Sequence, residues 1–100
     1  MSFVCVIEID LHFPTNGSLK GKRKEVTSLK AQLQRRFGAA VSETDYHDLW
    51  QRAQLSAALV GGRASLVDDA AAKLARYVDS QFPDCASIRR TLVSADEIFA

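Results

Sequence analysis

The chain has 100 residues, of which 47% are hydrophobic and 25% charged, and its formal net charge is only +1. These values are typical of one folded domain and exclude a disordered polyelectrolyte, while so small a net charge predicts no particular partner. No apolar run approaches the roughly 20 residues of a membrane helix. We therefore expect neither a membrane segment nor an export signal, and hence a cytoplasmic protein.

Residues 3–13 predict the first strand, because apolar side chains alternate along them with more polar ones. One predicted face is apolar throughout and consists of Phe3, Cys5, Ile7, Ile9, Leu11 and Phe13. The opposite face becomes more polar along the strand and consists of Val4, Val6, Glu8, Asp10 and His12. The turn formers of residues 14–18 end the strand.

Residues 19–37 predict the first helix, because a stripe of apolar residues recurs at helical spacing. The stripe consists of Leu19, Val26, Leu29, Leu33 and Phe37. Ser18 is suited to the N-cap position and Gly38 to the C-terminal stop. Cations at positions 20, 22, 23 and 24 crowd the first turns, where the helix macrodipole is already positive. This placement of charge against the dipole indicates an anion-binding end.

Residues 39–45 and 51–60 predict the two strands of a hairpin, joined by a short turn. In the second of these strands the alternation directs four residues to the core, namely Ala53, Leu55, Ala57 and Leu59. Gln54 and Ser56 then face the other way, beside the polar residues of the first strand.

The second half of the chain predicts another helix and a last strand. An apolar face running from Leu66 to Phe82 predicts the helix, and Ser65 with Asp68 resembles a capping box at its start. Residues 88–94 predict the strand. Its two faces are Ile88 and Leu92 on one side, and Arg89, Thr91 and Val93 on the other.

The predicted order β-α-β-β-α-β is that of the ferredoxin-like fold, of the α+β class. Right-handed crossovers then give a four-stranded antiparallel sheet with both helices on one face and the first and third strands at its centre. We expect one ferredoxin-like domain over residues 1–94 and a C-terminal tail over residues 95–100. The face of the sheet away from the helices, called here the open face, has no predicted cover.

Four segments of the chain together resemble the YlxP-like family of small bacterial proteins, which is catalogued as a domain of unknown function. These segments are residues 18–23 (Ser-Leu-Lys-Gly-Lys-Arg), 36–37 (Arg-Phe), 43–45 (Glu-Thr-Asp) and 48–53 (Asp-Leu-Trp-Gln-Arg-Ala). The resemblance covers roughly residues 3 to 80 and departs from the family pattern in the basic last strand. It implies the ferredoxin-like fold. Because genes of this family often accompany those for initiation and ribosome-maturation factors, it also implies an RNA-linked or ribosome-linked role, with no established reaction.

The cations at positions 20, 22, 23 and 24, called here the basic cluster, predict a site for phosphate or RNA backbone. Lysine and arginine contacts to phosphates dominate nucleic-acid affinity. The predicted RNA- or anion-binding residues are Ser18, Lys20, Lys22, Arg23, Lys24, Lys30, Trp50 and Arg52. The alternative is a solvated helix face, as most charge runs are.

Trp50 also has two interpretations. It is either a packed core or interface anchor with Arg52 over it, which we favour, or a platform on which a base stacks.

The open face differs from that of RNA-recognition domains because it offers carboxylates and no aromatic residue. We expect a second copy of the chain to cover it, in a homodimer whose interface residues are Val4, Val6, Glu8, Asp10 and His12. Glu8, Asp10, His12 and Asp45 form the single candidate cluster for a metal-dependent enzyme, which is the weakest interpretation. We expect no metal and no cofactor.

The two cysteines do not change this interpretation, because Cys5 and Cys85 lack the spacing of metal ligands. Cys5 is predicted to be a small core residue and Cys85 to lie at a loop-to-strand junction. A disulfide between them is a minor alternative.

The sequence thus favours a non-enzymatic protein that binds RNA or a ribosomal surface through its first helix. The alternative is a homodimeric structural or regulatory module without nucleic-acid contact.

Overall fold

The alternating and helical patterns of the sequence become four strands and three helices in a computed structural model, which describes residues 1–100. The elements are β1 (Phe3–His12), α1 (Leu19–Phe37), β2 (Ala40–Asp45), β3 (Arg52–Gly61), α2 (Ala64–Gln81), β4 (Ala86–Ser94) and α3 (Ala95–Ile98). No helix is both long enough and apolar enough to span a membrane.

The four strands form one sheet in the order β2-β3-β1-β4, and every neighbouring pair is antiparallel. Ile7 lies opposite Ala57 of β3 and opposite Arg90 of β4, which fixes the register of the central strands. The predicted ferredoxin-like arrangement, with β1 and β3 at the centre, is therefore confirmed. The β2–β3 register shifts between Glu43 and Asp45, so β2 is short and irregular at its end.

The core lies between the sheet and the two long helices, because the dry face of each central strand meets the apolar stripes of α1 and α2. One cluster contains Cys5, Ile7, Ile9, Leu11 and Phe13 of the first strand region, Ala53, Leu55, Ala57 and Leu59 of β3, Val26, Leu29 and Leu33 of α1, Ala39 before β2, and Val67, Ala71, Leu74 and Val78 of α2. Burial of this apolar surface is the main stabilising term of the fold.

The ends of α1 are those that the sequence predicts. Ser18 Oγ accepts a hydrogen bond from the Gly21 amide at 3.0 Å, and Gly38 adopts the left-handed conformation, with φ 65°. The start of α2 lies two residues before the position that the sequence predicts. Its N-cap is Arg63, whose carbonyl accepts from the Val67 amide at 3.1 Å, so Ser65 lies inside the first turn and caps nothing.

The tail predicted over residues 95–100 contains the one-turn helix α3. Ser94 and Glu97 form a capping box, in which the Ser94 hydroxyl accepts from the Glu97 amide and the Glu97 carboxylate accepts from the Ser94 amide. The Ala95 amide also donates to the Ser2 carbonyl at 2.8 Å, which ties the tail to the start of β1.

Candidate nucleic-acid interface

The solvent face of α1, called here the basic face, carries most of the predicted anion-binding residues. Lys20, Arg23 and Lys24 are exposed and Lys30 is half-buried, because the helix turns them away from its buried stripe. The ion pairs of the structure are Lys22–Glu43, Arg52–Asp10 and Arg90–Asp68. No cation of the basic face is therefore neutralised by a carboxylate within 4.0 Å.

Lys22 does not belong to the basic face, and its assignment as an anion-binding residue is wrong. Its side chain is 1% exposed, and the ammonium Nζ lies 3.1 Å from Glu43 Oε2. Nζ also donates hydrogen bonds to three backbone carbonyls, those of Tyr46 at 2.6 Å, Arg52 at 3.1 Å and His47 at 3.2 Å. A phosphate would have to displace all of these partners.

The position of Lys22 explains this burial. Residue 22 precedes Val26, Leu29 and Leu33 by helical spacings of 4, 7 and 11 residues, so it lies on the buried stripe of α1. The stripe alone therefore indicates an inward-facing residue. Ser18 is similarly committed, since its hydroxyl caps the helix.

Trp50 lies in the loop of residues 46–51, just before β3, and its side chain is 50% exposed. The favoured prediction is therefore wrong where it places Trp50 in the core, and an interface anchor stays a prediction. Arg52 does not cover Trp50 either. Its guanidinium carbon lies 4.1 Å from the centre of the Tyr46 ring, and its Nη2 lies 3.8 Å from Asp10 Oδ1. Arg52 is thus engaged on the open face, whereas Trp50 presents its indole to solvent.

The loop that carries Trp50 adjoins the start of α1. The Asn16 side-chain amide donates to the Ser18 carbonyl at 2.7 Å and also donates to the Trp50 carbonyl. Because Ser18 is the N-cap of α1, this single amide links the Trp50 backbone to the end of the helix where Lys20 begins the basic face. The structure therefore joins the Trp50 loop to the end of α1 that carries Lys20, whereas the side chains of Lys22 and Arg52 are engaged by other partners.

The open face is uncovered in the single chain and has an apolar and a polar half. Val6 is 38% exposed and Val60 is 74% exposed at the apolar end. In the polar half, the Glu8 carboxylate accepts a hydrogen bond from the Ser56 hydroxyl, and Asp10 pairs with Arg52. The predicted interface residues of β1 thus share one accessible face, with His12 exposed at its end.

The candidate metal cluster is not assembled. Glu8, Asp10 and His12 lie on β1, whereas Asp45 lies on β2 with β3 between them. Asp45 Oδ1 accepts from the Tyr46 amide at 2.7 Å, so this carboxylate stabilises the loop. No group of three His, Cys, Asp or Glu residues is arranged to hold a metal ion.

Both cysteines are free thiols. Cys5 is buried in the core, as predicted, and burial raises the pKa of its thiol above the ordinary value, with a smaller opposing effect from Arg90. Cys85 is half-buried and directly precedes β4, which confirms its predicted place at a loop-to-strand junction.

The fold and the order of its strands define a ferredoxin-like α+β domain. A solved de novo designed protein, Foldit4, superposes with a TM-score of 0.63 at 7% identity, covering 94% of this chain and 98% of that one. The crystal structure of an amidase of the hydantoinase/carbamoylase family from Burkholderia phymatum gives a TM-score of 0.52 at 11% identity, covering 94% of this chain and 28% of that one. At these identities the likeness concerns the fold alone.

Residues 4–91 match the profile of the family described as "Protein of unknown function (DUF503)", and the chain belongs to this family. It is 30% identical over 80 residues to "Uncharacterized protein YlxP" of Bacillus subtilis (strain 168), covering 80% of this chain and 83% of that protein. The resemblance predicted from the motifs around the basic cluster and Trp50 is therefore confirmed.

Proposed function

We propose that the protein is a non-enzymatic RNA-binding protein that contacts RNA, or an RNA surface of the ribosome, through the basic face of α1. The observation that carries this proposal is the lack of a carboxylate partner for Lys20, Arg23, Lys24 and Lys30. Such cations keep their full attraction for phosphate, because no internal ion pair has to be broken first. A ribosome-linked role agrees with the family resemblance, and its place is the cytoplasm.

The proposal is tested by removing two of these charges. Lys20→Ala with Arg23→Ala deletes two exposed cations and leaves the buried Lys22 in place. We expect weaker binding to RNA or to ribosomal particles and a log–log salt slope smaller by about 1.4 to 1.8 units, since each phosphate contact contributes roughly 0.7 to 0.9. The matched control is Lys73→Ala with Arg76→Ala, which removes two exposed cations from α2.

The two double variants have the same net charge, so a general charge effect would weaken them equally. Loss confined to the α1 variant supports the proposal. Equal binding of the α1 variant and the wild-type protein would contradict it and leave a protein-interaction module. Thermal melts of both variants show whether either substitution acts through the fold.

A second function is favoured by the exposed valines of the open face, and we propose that two copies of the chain pack through it. Val6 and Val60 form an apolar half of a kind that monomers rarely leave bare. The interface would include Val4, Val6, Glu8, Asp10 and His12, with Glu8 accepting a hydrogen bond from Ser56 and Asp10 in an ion pair with Arg52. This homodimer is compatible with RNA binding, because α1 lies on the other side of the sheet.

Multi-angle light scattering tests the homodimer. We expect a dimer for the wild-type chain and a monomer for Val6→Glu, because a buried unpaired carboxylate is strongly unfavourable. Ser65→Glu adds the same charge in the first turn of α2 and should remain dimeric. A wild-type chain that is monomeric at high concentration would exclude self-association through this face.

A further inference from the structure

Trp50 is the single tryptophan of the chain, and the structure exposes half of its side chain on a loop whose backbone is held firmly. The loop begins at Tyr46, which adopts a φ of 62° although it is not glycine. That conformation is unfavourable by itself and persists only where neighbouring groups hold it. Here the Asp45 carboxylate accepts from the Tyr46 amide, and the Lys22 ammonium donates to the Tyr46 carbonyl.

The other end of the loop is held by Asn16 and by Gly21. The Asn16 amide donates to the Trp50 carbonyl, and Gly21 leaves the space that the Asn16 side chain occupies. A Cβ at position 21 would lie 2.3 Å from Asn16 Oδ1, a distance that two such atoms cannot adopt. A glycine in the first turns of α1 weakens the helix but admits this contact. The indole therefore extends from a backbone fixed at both ends.

An exposed aromatic ring on a loop joined to the start of a helix with unpaired, exposed cations is a combination with which proteins bind single-stranded nucleic acid. The ring stacks on the face of a base, and the cations contact the flanking phosphates. In a duplex the faces of the bases are covered by their neighbours, so the indole would find no partner there and the cations alone would contribute.

We propose that this surface binds an unpaired stretch of RNA, with one base stacked on Trp50 and the adjoining phosphates on Lys20, Arg23 and Lys24. The inference rests on the proposed RNA-binding function and deepens it by naming the class of RNA. The fixed loop favours such binding, because little conformational freedom remains to be lost when the base stacks.

The test is a titration of the wild-type chain with a 12-nucleotide oligo(U) and with the same strand annealed to its complement, at one salt concentration. Because Trp50 is the single tryptophan, its fluorescence reports directly on stacking. We expect quenching by the single strand and at least roughly 10-fold weaker binding of the duplex, in line with the usual contribution of one stacked base. Fluorescence anisotropy of a labelled oligonucleotide measures the affinities independently.

Two variants separate stacking from general loss of the loop. Trp50→Ala should weaken binding of the single strand roughly 10-fold and leave duplex binding unchanged, while Trp50→Phe should restore part of the loss. Leu49→Ala removes a neighbouring side chain of similar exposure, 48%, and should bind like the wild type. A loss as large in Leu49→Ala as in Trp50→Ala would overturn the stacking contact.

The failure of this inference differs from the failure of the proposed function. Salt-dependent binding that favours the duplex, or that leaves Trp50 fluorescence unchanged, would overturn the single-strand inference and retain RNA binding through the basic face. Absence of binding to either oligonucleotide at low salt would overturn the inference. Absence of binding to ribosomal particles as well would overturn the proposed function, and Trp50 would then be a contact for another protein.

Discussion

Replacing Lys22 with methionine tests the most unusual feature of the core. Methionine retains much of the buried aliphatic stem but lacks the ammonium, so Glu43 loses its ion-pair partner and three carbonyls lose a donor. Removal of one partner of a buried ion pair usually costs about 3–5 kcal/mol. Glu43 is 19% exposed and regains some hydration, which places the expected loss near the lower limit, about 3 kcal/mol.

That loss is large for a domain of this size, whose total stability is commonly about 5–15 kcal/mol. It corresponds to a melting temperature lower by roughly 12 to 24 °C, at about 4 to 8 °C for each kcal/mol. Urea denaturation followed by circular dichroism measures the free energy of unfolding directly. Lys20→Met is the matched control, because Lys20 is exposed on the same helix, and it should change stability by no more than about 0.5 kcal/mol.

A double variant identifies the source of the loss. If the unpaired Glu43 carboxylate is the main penalty, Glu43→Gln added to Lys22→Met should recover part of the stability, since a neutral amide is less costly to leave without a cation. A Lys22→Met variant within about 1 kcal/mol of the wild type would refute the reasoning, and would show that the ammonium reaches water in solution.

The remaining predictions concern other parts of the chain. Trp50→Ala should lower stability by about 1 kcal/mol or less in the same denaturation assay, because half of the ring is already hydrated; a loss of 3 kcal/mol would indicate a packed residue. Iodoacetamide followed by mass spectrometry should modify Cys85 before Cys5, since Cys5 is buried and its thiol pKa is raised; equal rates would contradict this. Gly38→Ala should lower the free energy of unfolding by about 1 kcal/mol, because residue 38 has a positive φ. Gly17→Ala should be tolerated, because its added methyl meets no neighbouring atom. Similar melting temperatures for the two variants would refute the capping argument.

The parts of the fold that follow a repeating pattern could be predicted from the sequence. The alternation of β1 places Ile7 and Ile9 in the core because side-chain direction in a strand reverses at each residue. The caps of α1 could be predicted because Ser18 and Gly38 satisfy local requirements of the helix ends. Local rules sufficed in these cases, and the ferredoxin-like topology followed from the order of the elements.

The errors arise where a tertiary contact overrides the character of a residue. The charge of Lys22 predicts a surface position, although its spacing from Val26 places it on the buried stripe. The carbonyls that accept from its ammonium belong to Tyr46 and His47 of the loop and to Arg52 at the start of β3. The size of Trp50 favours a packed core or interface anchor, whereas the loop is held through its backbone and leaves half of the ring exposed. The short helix α3 is not predicted because a single turn shows no periodicity, although Ser94 and Glu97 have the spacing of a capping box.

The two edge strands of the sheet have a consequence for solubility. An edge strand offers unpaired backbone groups with which another chain can form a β-ladder, and long flat edges therefore promote aggregation. Here β2 has only six residues and a register shift between Glu43 and Asp45, while β4 exposes Arg89 and Arg90. A short irregular edge on one side and a cationic edge on the other disfavour strand-by-strand growth of fibrils.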